Sequence, residues 1–306
     1  MITHYKDVRL FEWLPNLCRV ISAMFICSVI YVSSALSDPH ALATLETTVL
    51  ELEERLDARI GVFILESGSD WQWGHRENER FLMASTFKSV LCGAVLDRVD
   101  QGDISLNERI EIHAQDILSY APITEKHLGA SLSIGELCLA TLNMSDNTAA
   151  NLLINRLGGT DKINAFLRKA GDTVTRLDRI EPDLNTFLPE DPRDTTSPAA
   201  MLSTWNNMLL GGGLTSASGA QLAEWMSYGG VTGALIRTSV PEGWHVVDKS
   251  GGGREYTRNL VAMITPADKA PVFVAIFVSD TAADWSTRNA AVRTIGAAVI
   301  DVIQAR

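Results

Sequence analysis

The sequence predicts an α/β plus all-α fold: an antiparallel sheet flanked by helices, built from both ends of the chain, with a helical domain inserted between them. Strand-like runs of β-branched and aromatic residues occur over 60–73 and again over 244–278. The region 85–170 has almost wholly helical periodicity. We therefore expect 36–80 and 227–306 to form one α/β domain and 81–226 an all-α domain.

The individual elements follow from local patterns in chain order. A helix charged on one face is predicted over 41–56, and 60–65 with 71–73 read as a β-hairpin around a Ser-Gly-Ser-Asp turn. Glycine and proline residues divide the helical block that follows. Near the end of the chain, strands are predicted over 244–248, 259–265 and 271–278. An amphipathic helix over 288–303 closes the chain.

The first 35 residues have the pattern of a signal peptide. Three basic residues precede an apolar run of 13 residues over 20–32, and Ser33-Ser34-Ala35 supplies small residues where a signal peptidase would cut. The run is shorter than the roughly 20 apolar residues of a membrane-spanning helix. We expect cleavage after Ala35 and export to the periplasm or the medium, with no stable membrane association afterwards. The long polar lead leaves an uncleaved anchor as the alternative.

The composition and charge of the chain argue against several classes of function. Removing 35 of 306 residues leaves 271, enough for a single large fold unit, and moves the net charge from −11 to −12 because three basic and two acidic residues are lost. There is no basic patch that would indicate nucleic-acid binding. The histidines are scattered without the close spacing of zinc ligands. We expect a monomer that acts on a small molecule, with no metal or other cofactor.

Two cysteines remain after the predicted cleavage, Cys92 and Cys138. In an exported protein such a pair can be oxidised, and a disulfide closing this loop would stabilise the fold by roughly 4 kcal/mol on the chain-entropy estimate. We expect that bond. Two buried free thiols are the alternative.

Ser85 and Lys88 are the first candidates for chemistry. They lie three residues apart at the start of an apolar helical run, so both side chains face the same side of a helix. A serine hydroxyl becomes a good nucleophile when a neighbouring base takes its proton, and burial lowers a lysine pKa enough for it to help. Without partners the same pattern is typical of an N-cap and a solvated lysine.

Two further groups of polar residues could complete such a site. Ser145-Asp146-Asn147 stands at the entrance to another helical run, where one residue would serve as N-cap and the others could pass a proton or hold a carbonyl. Lys249-Ser250-Gly251-Gly252 follows the predicted strand that ends at Asp248. Its cation and hydroxyl could bind a carboxylate, whereas the plain interpretation is a turn.

The segment 176–194 is long, has neither helical nor strand periodicity, and carries apolar residues that argue against disorder. It is predicted to be a packed Ω-loop. Glu181 within it could activate a water molecule, and Arg179 could pair with Asp194 to hold the two ends together. The alternative is a set of solvated charges.

The order Ser85-x-x-Lys88, Ser145-Asp146-Asn147, Glu181 to Asn185, and Lys249-Ser250-Gly251 resembles that of class A serine β-lactamases. The resemblance covers nearly all of the chain after residue 35. It implies a fold of an α/β part and an all-α part with the site between them. It also implies hydrolysis of the β-lactam amide of penicillins and cephalosporins without a cofactor, and hence resistance to these antibiotics. Cys92 and Cys138 match a pair that is bonded in many members.

The resemblance also implies a role for each matching residue. Ser85 would be the acylated nucleophile, Lys88 a proton relay, and Ser145 the donor to the lactam nitrogen. Glu181 and Asn185 would hold the deacylating water, and whether Lys88 or Glu181 activates Ser85 stays open. The backbone N–H groups of Ser85 and Gly252 would form the oxyanion hole. Substrate contacts are expected from Asn147, Lys249, Ser250, Gly251, Tyr120 and Arg258.

Two related classes of protein would use part of this set. A penicillin-binding transpeptidase or carboxypeptidase shares the serine, lysine and Lys-Ser-Gly elements but lacks the loop with Glu181, so it would deacylate slowly. A drug sensor would keep the acylation site and need a membrane span, which the short apolar run argues against.

Overall fold

A computed structural model describes residues 39–253 and 255–306, so the predicted signal peptide lies outside the described residues. The described strands are β1 (Arg59–Glu66), β2 (Gln72–His75), β3 (Phe81–Leu82), β4 (Arg109–Glu111), β5 (Ser131–Ser133), β6 (Thr195–Thr196), β7 (His245–Gly252), β8 (Tyr256–Thr265) and β9 (Val272–Thr281). The described α-helices are α1 (Pro39–Leu56), α2 (Phe87–Asp100), α3 (Ile134–Asn143), α4 (Asn147–Leu157), α5 (Thr160–Lys169), α6 (Pro198–Leu209), α7 (Ser216–Ser227) and α8 (Trp285–Gln304).

The main sheet has the strand order β2-β1-β9-β8-β7, and every neighbouring pair is antiparallel. Its strands come from both ends of the chain, which confirms the predicted architecture. The small antiparallel pair β4 with β5 lies in the region 85–170 that was predicted to be almost wholly helical, and the pair β3 with β6 lies within the predicted all-α domain 81–226. The two domain boundaries stay a prediction.

The sheet separates two apolar cores. Successive side chains of a strand point to opposite faces, so Val274 and Ile276 pack with α1 and α8 on one side. Phe273, Ala275 and Phe277 pack on the other side against the helical region. Helix α2 lies inside that second core, and all of its residues from 87 to 97 are buried. The residues just before α2 are therefore carried by a fully packed helix.

Two boundaries differ from the predictions. Strand β7 does not stop at Asp248 but continues through Gly252, because Lys249, Ser250, Gly251 and Gly252 keep their ladder pairing with β8. The final helix begins at Trp285, three residues earlier than expected, with Asp284 as its N-cap. Within the described part of the chain, every helix is too short or too polar to span a lipid bilayer.

Candidate active site

Ser85 lies in a tight turn between a strand and a buried helix. A 3-10 turn, Ala84–Thr86, joins the short strand β3 to α2, and Ala84 has a φ of 44°, in the left-handed region. Asn259 of β8 donates from Nδ2 to the carbonyl oxygens of Leu82 (2.8 Å) and Met83 (3.0 Å). The strained turn is thus tied to the main sheet, which fixes the position of Ser85.

Gly251 explains how closely β7 approaches that turn. A Cβ atom added at Gly251 would lie 2.6 Å from the Met83 carbonyl oxygen and 3.0 Å from the Ser85 nitrogen. These neighbours are backbone atoms that cannot move aside. A glycine is needed here for β7 to lie directly against the Ser85 turn.

Lys88 lies one turn further along and is fully buried. Its Nζ donates to Asn147 Oδ1 (2.6 Å) and to the carbonyl oxygen of Ser145 (2.8 Å), and it lies 3.0 Å from Glu181 Oε1. Burial lowers the pKa of Lys88, while the negative charge of Glu181 acts against that shift. The Lys88 side chain therefore connects helix α2 to the start of α4 and to the loop that carries Glu181.

Within Ser145-Asp146-Asn147, one residue caps α4 and another faces the cleft, as the N-cap pattern indicates. Asp146 is the N-cap of α4, and its carboxylate accepts from the backbone N–H groups of Ala149 (2.9 Å) and Thr124 (2.9 Å). Ser145 has a φ of 58°, another left-handed residue, and lines the cleft. Asp146 is structural, and the turn that it holds presents Ser145 beside Lys88.

Glu181 is almost completely buried and is held through both its side chain and its backbone. Asn185 Nδ2 donates to Glu181 Oε2 (2.6 Å), while Lys88 faces Oε1. The Asn151 side chain accepts from the Glu181 N–H (3.0 Å) and donates to the Glu181 carbonyl oxygen (2.8 Å). The peptide bond between Glu181 and Pro182 is cis.

The two ends of the loop are joined as the sequence predicted. Arg179 Nε lies 2.5 Å from Asp194 Oδ2, and the Asp194 side chain is fully buried. Asp194 Oδ1 also accepts from the backbone N–H groups of Asp178 (2.7 Å) and Arg179 (2.9 Å). The Asp194 carbonyl oxygen accepts from the Met83 N–H (2.9 Å), which links the loop to the strand before Ser85.

Strand β7 brings a second buried lysine to the site. Lys249 Nζ donates to Ser145 Oγ (3.2 Å) and to the Ser250 carbonyl oxygen (2.8 Å), and Lys88 Nζ lies 3.4 Å from the same Ser145 hydroxyl. Burial is the main cause that holds the pKa of Lys249 well below its ordinary value, with repulsion from Lys88 and Arg258 adding to it. The Ser145 hydroxyl thus lies between two ammonium groups.

Arg258 lies opposite Gly252 on the neighbouring strand. Its Nη1 donates to the Gly251 carbonyl oxygen (2.9 Å) and its Nε to Asn289 Oδ1 (2.7 Å). Burial, with the nearby Arg288, lowers the pKa of Arg258 to about 10. Tyr120 stands on the far side of the cleft, 46 % exposed, and donates from its hydroxyl to the Met144 carbonyl oxygen (3.3 Å).

All twelve predicted site residues meet at one cleft of about 910 Å³. Nine of them line it, namely Ser85, Tyr120, Ser145, Asn147, Asn185, Ser250, Gly251, Gly252 and Arg258. The other three, Lys88, Glu181 and Lys249, lie beneath these and are buried. The arrangement has a hydroxyl at the surface of the cleft and ionisable groups behind it, as an acyl-transfer site requires. Among the described residues, no three His, Cys, Asp or Glu side chains form a group that could hold a metal ion.

Three residues that support this site were missed by the sequence analysis: Asn151, Asn259 and Trp285. Asn151 could have been found, because it lies four residues after Asn147 and so on the same face of α4. Asn259 reaches a partner 176 residues away, and no local pattern indicates that contact. Trp285 precedes the predicted start of its helix.

The predicted disulfide was wrong for this structure, in which Cys92 and Cys138 are free and buried. The Cys92 thiol donates to the Cys138 carbonyl oxygen (3.8 Å), and both side chains belong to the helical core. In such a setting cysteine packs as a small apolar side chain, so core packing alone accounts for the pair. Burial raises the pKa of the Cys92 thiol well above its ordinary value.

Comparison with known proteins assigns the chain to a class of hydrolases. The model of the β-lactamase enzyme family matches residues 44–303. A β-lactamase of Rhodobacter capsulatus is 48% identical over 260 residues, which are 85% of this chain and 88% of that protein. The chain belongs to the β-lactamase enzyme family.

Comparison with solved structures agrees with this family and indicates which class of β-lactamase the chain resembles. The crystal structure of a β-lactamase from Xanthomonas campestris pv. campestris has a TM-score of 0.84 at 44% identity, covering 86% of this chain and 98% of that one. An ancestral class A β-lactamase has a TM-score of 0.81 at 44% identity, covering 84% of this chain and 98% of that one. The family is therefore that of the class A enzymes.

Proposed function

We propose that this protein hydrolyses the β-lactam amide of penicillins and cephalosporins in two steps, through an ester on Ser85. The observation that carries the proposal is the position of Glu181: one carboxylate oxygen lies 3.0 Å from Lys88 Nζ and the other accepts from Asn185 (2.6 Å). A carboxylate held in this way beside a nucleophilic serine can act as the base for the second step, hydrolysis of the ester. An enzyme that only acylates lacks such a base.

In the first step the Ser85 oxygen attacks the lactam carbonyl carbon, and the C–N bond of the ring breaks. The proton of Ser85 passes to the Glu181 carboxylate, or to Lys88 when that side chain is a neutral amine. A proton reaches the departing nitrogen through Ser145, whose hydroxyl is within 3.4 Å of both lysine ammonium groups. The backbone N–H groups of Ser85 and Gly252 stabilise the developing oxyanion, and one such donor is worth about 10²–10³ in turnover.

In the second step water attacks the ester carbonyl carbon, and Glu181 takes the proton of that water. The bond to Ser85 breaks, Ser85 recovers its proton, and the ring-opened acid leaves. Asn185 both orients Glu181 and completes the binding place for the water. Because Asn151 holds the backbone of Glu181 at two points, it acts as a positioning residue for this base.

Substrate binding follows from the charges around the cleft. Lys249, Ser250 and Arg258 receive the carboxylate that penicillins and cephalosporins carry beside the lactam nitrogen. Asn147 binds the amide of the substrate side chain, with Gly251 and Gly252 contributing backbone groups. Tyr120 forms the opposite wall.

We also propose that the protein is exported, acts as a monomer and confers resistance to β-lactams. Export rests on the basic and apolar pattern of residues 1–35. Expression of the full chain in a bacterium, followed by mass measurement of the periplasmic protein, tests both the export and the cleavage after Ala35.

A chromogenic cephalosporin and purified protein test the proposed reaction. The parent should turn the substrate over many times without accumulating a covalent adduct, and Ser85→Ala should show neither turnover nor adduct. Ser119→Ala is the matched control, since Ser119 is a second serine that lines the cleft. Turnover that survives in Ser85→Ala would overturn the assignment of the nucleophile.

A further inference from the structure

Trp285 lies in the cleft at the end where the substrate carboxylate is proposed to bind. It is the first residue of α8, lines the cleft and is 47 % exposed. A Cβ atom added at Gly252 would lie 2.7 Å from the indole ring, so the ring packs against the glycine of β7. The exposed part of the indole is an apolar surface on which a planar group could stack.

The indole is held in place by two guanidinium groups. The Arg258 Cζ lies 4.5 Å from the centre of the Trp285 ring, and the Arg288 Cζ lies 5.6 Å from it. Arg288 is itself buried and donates to the Thr257 carbonyl oxygen (2.9 Å), which ties the start of α8 to strand β8. The ring is therefore a packed platform flanked by Arg258 and Arg288, and the carboxylates of Asp284 and Glu255 act on Arg288.

The chemistry of the substrate decides what would meet this platform. In a cephalosporin, the ring carbon next to the one that carries the carboxylate bears a substituent, whereas a penicillin has methyl groups in that region. With the carboxylate at Lys249, Ser250 and Arg258, the substituent on the adjacent carbon would lie at the end of the cleft where the Trp285 ring is 4.5 Å from Arg258 Cζ. Planar aromatic groups stack on an indole, and the surrounding cations disfavour a substituent that is itself positively charged.

We propose that Trp285 is a specificity-determining residue that selects cephalosporins with a neutral or anionic planar heteroaromatic substituent beside the carboxylate. This inference rests on the proposed function and names a preferred substrate class for it. The structural alternative is that Trp285 only packs on Arg258, in which case it would affect all substrates equally.

The test uses three cephalosporins with the same acyl side chain and a methyl, a neutral heteroaryl or a pyridinium group at that carbon. We expect Trp285→Ala to lower kcat/KM for the heteroaryl compound by about twofold to tenfold more than for the methyl compound, since an aromatic pair contributes about 0.5–1.5 kcal/mol. The extra loss should be in KM, because stacking stabilises ground and transition states alike. The pyridinium compound should show a smaller extra loss, and Trp285→Phe should retain much of the preference.

Trp71→Ala is the matched control, because Trp71 also stacks on an arginine, Arg306 at 3.9 Å, but does not line the cleft. Equal losses for all three compounds in Trp285→Ala would overturn the inference and leave the hydrolase proposal intact. Calorimetric binding of the same compounds to Ser85→Ala, with and without Trp285→Ala, gives the preference independently of turnover. Absence of hydrolysis by the parent would instead count against the proposed function. Even then, the role of Trp285 would be refuted if Trp285→Ala weakened the binding of all three compounds equally.

Discussion

Glu181 and Lys88 form an ion pair in which both side chains are completely shielded from solvent, with 3.0 Å between Glu181 Oε1 and Lys88 Nζ. Removing one member of such a pair leaves an unpaired buried charge, which costs much more than a surface ion pair contributes. Lys249 is buried equally deeply, yet among the described residues no carboxylate lies within ion-pair distance of it. The two lysines should therefore respond differently to replacement.

Lys249→Met is predicted to stabilise the fold and to impair the enzyme. The variant removes a buried ammonium, and each kcal/mol gained raises the Tm by about 2–4 °C for a protein of this size class. It also removes a charged donor to the substrate carboxylate, so kcat/KM should fall by about tenfold to a hundredfold. Thermal unfolding and steady-state kinetics measure both effects. A lower Tm would contradict the prediction.

The stability gained by Lys249→Met should depend on pH. Because burial lowers the folded-state pKa of Lys249 below its ordinary value of 10.5, the unfolded chain binds more protons between those two values. The free energy of unfolding of the parent therefore rises with pH across that interval, whereas Lys249→Met lacks this contribution. The advantage of the variant should shrink as the pH approaches 10.5. Lys126→Met, at an exposed lysine, is the control.

Asn151→Ala is predicted to slow deacylation specifically. The variant removes both bonds to the Glu181 backbone but no group that touches the substrate. When deacylation becomes rate-limiting, kcat and KM fall together and kcat/KM changes little; we expect about a tenfold fall in kcat, the equivalent of about 1.4 kcal/mol. Asn155→Ala, at an exposed position of the same helix, is the control. A raised KM at constant kcat would show that Asn151 acts on substrate binding instead.

Asp194→Ala should loosen the loop and slow the hydrolysis of good substrates. The buried carboxylate accepts from Arg179 and from two backbone N–H groups, so its removal should also lower the Tm. Val302→Ala, which leaves a cavity in the core beside α8, is a control of reduced stability with an intact loop. If both variants lose stability and only Asp194→Ala loses turnover, the clamp is functional. Equal rates in the two would exclude it.

The thiols offer a check on the corrected disulfide. In the native protein Cys92 and Cys138 should react slowly with a thiol reagent, because both are buried and the raised pKa of Cys92 keeps its thiol protonated. In denaturant without reductant both should be modified, as peptide mass mapping would report. Recovery of the two peptides as one linked species would contradict the free-thiol structure.

The sequence predicted most of the fold and the polar residues at the centre of the cleft, but not other lining residues such as Trp285 and Tyr256. Strand and helix periodicity indicated a sheet built from both chain ends. The order of short motifs around Ser85, Ser145, Glu181 and Lys249 indicated the site through its resemblance to the order in class A β-lactamases. The predicted end of the strand at Asp248 was wrong, since the ladder with β8 that keeps the following glycines extended is a non-local interaction.

The remaining contacts depend on tertiary packing. Asn259 donates to the Met83 carbonyl oxygen, 176 positions away in the sequence. Asn151 donates to the Glu181 carbonyl oxygen, 30 positions away. The stacking of Trp285 on Arg258 depends on how α8 meets β8. Periodicity within one element carries no information about such partners. The cysteine count likewise gave a possible pair but not its redox state.

We propose that deacylation requires Glu181 as its base, whereas acylation can draw on Lys88 as well as on Glu181. Glu181→Gln keeps the volume of the side chain, and Glu181→Ala removes it. The direct measurement is mass spectrometry of each variant during reaction with a penicillin. General-base catalysis is worth about 10²–10⁴, so deacylation should slow by that factor and a penicilloyl adduct on Ser85 should accumulate in both variants. Turnover at the parent rate with no adduct would contradict the account.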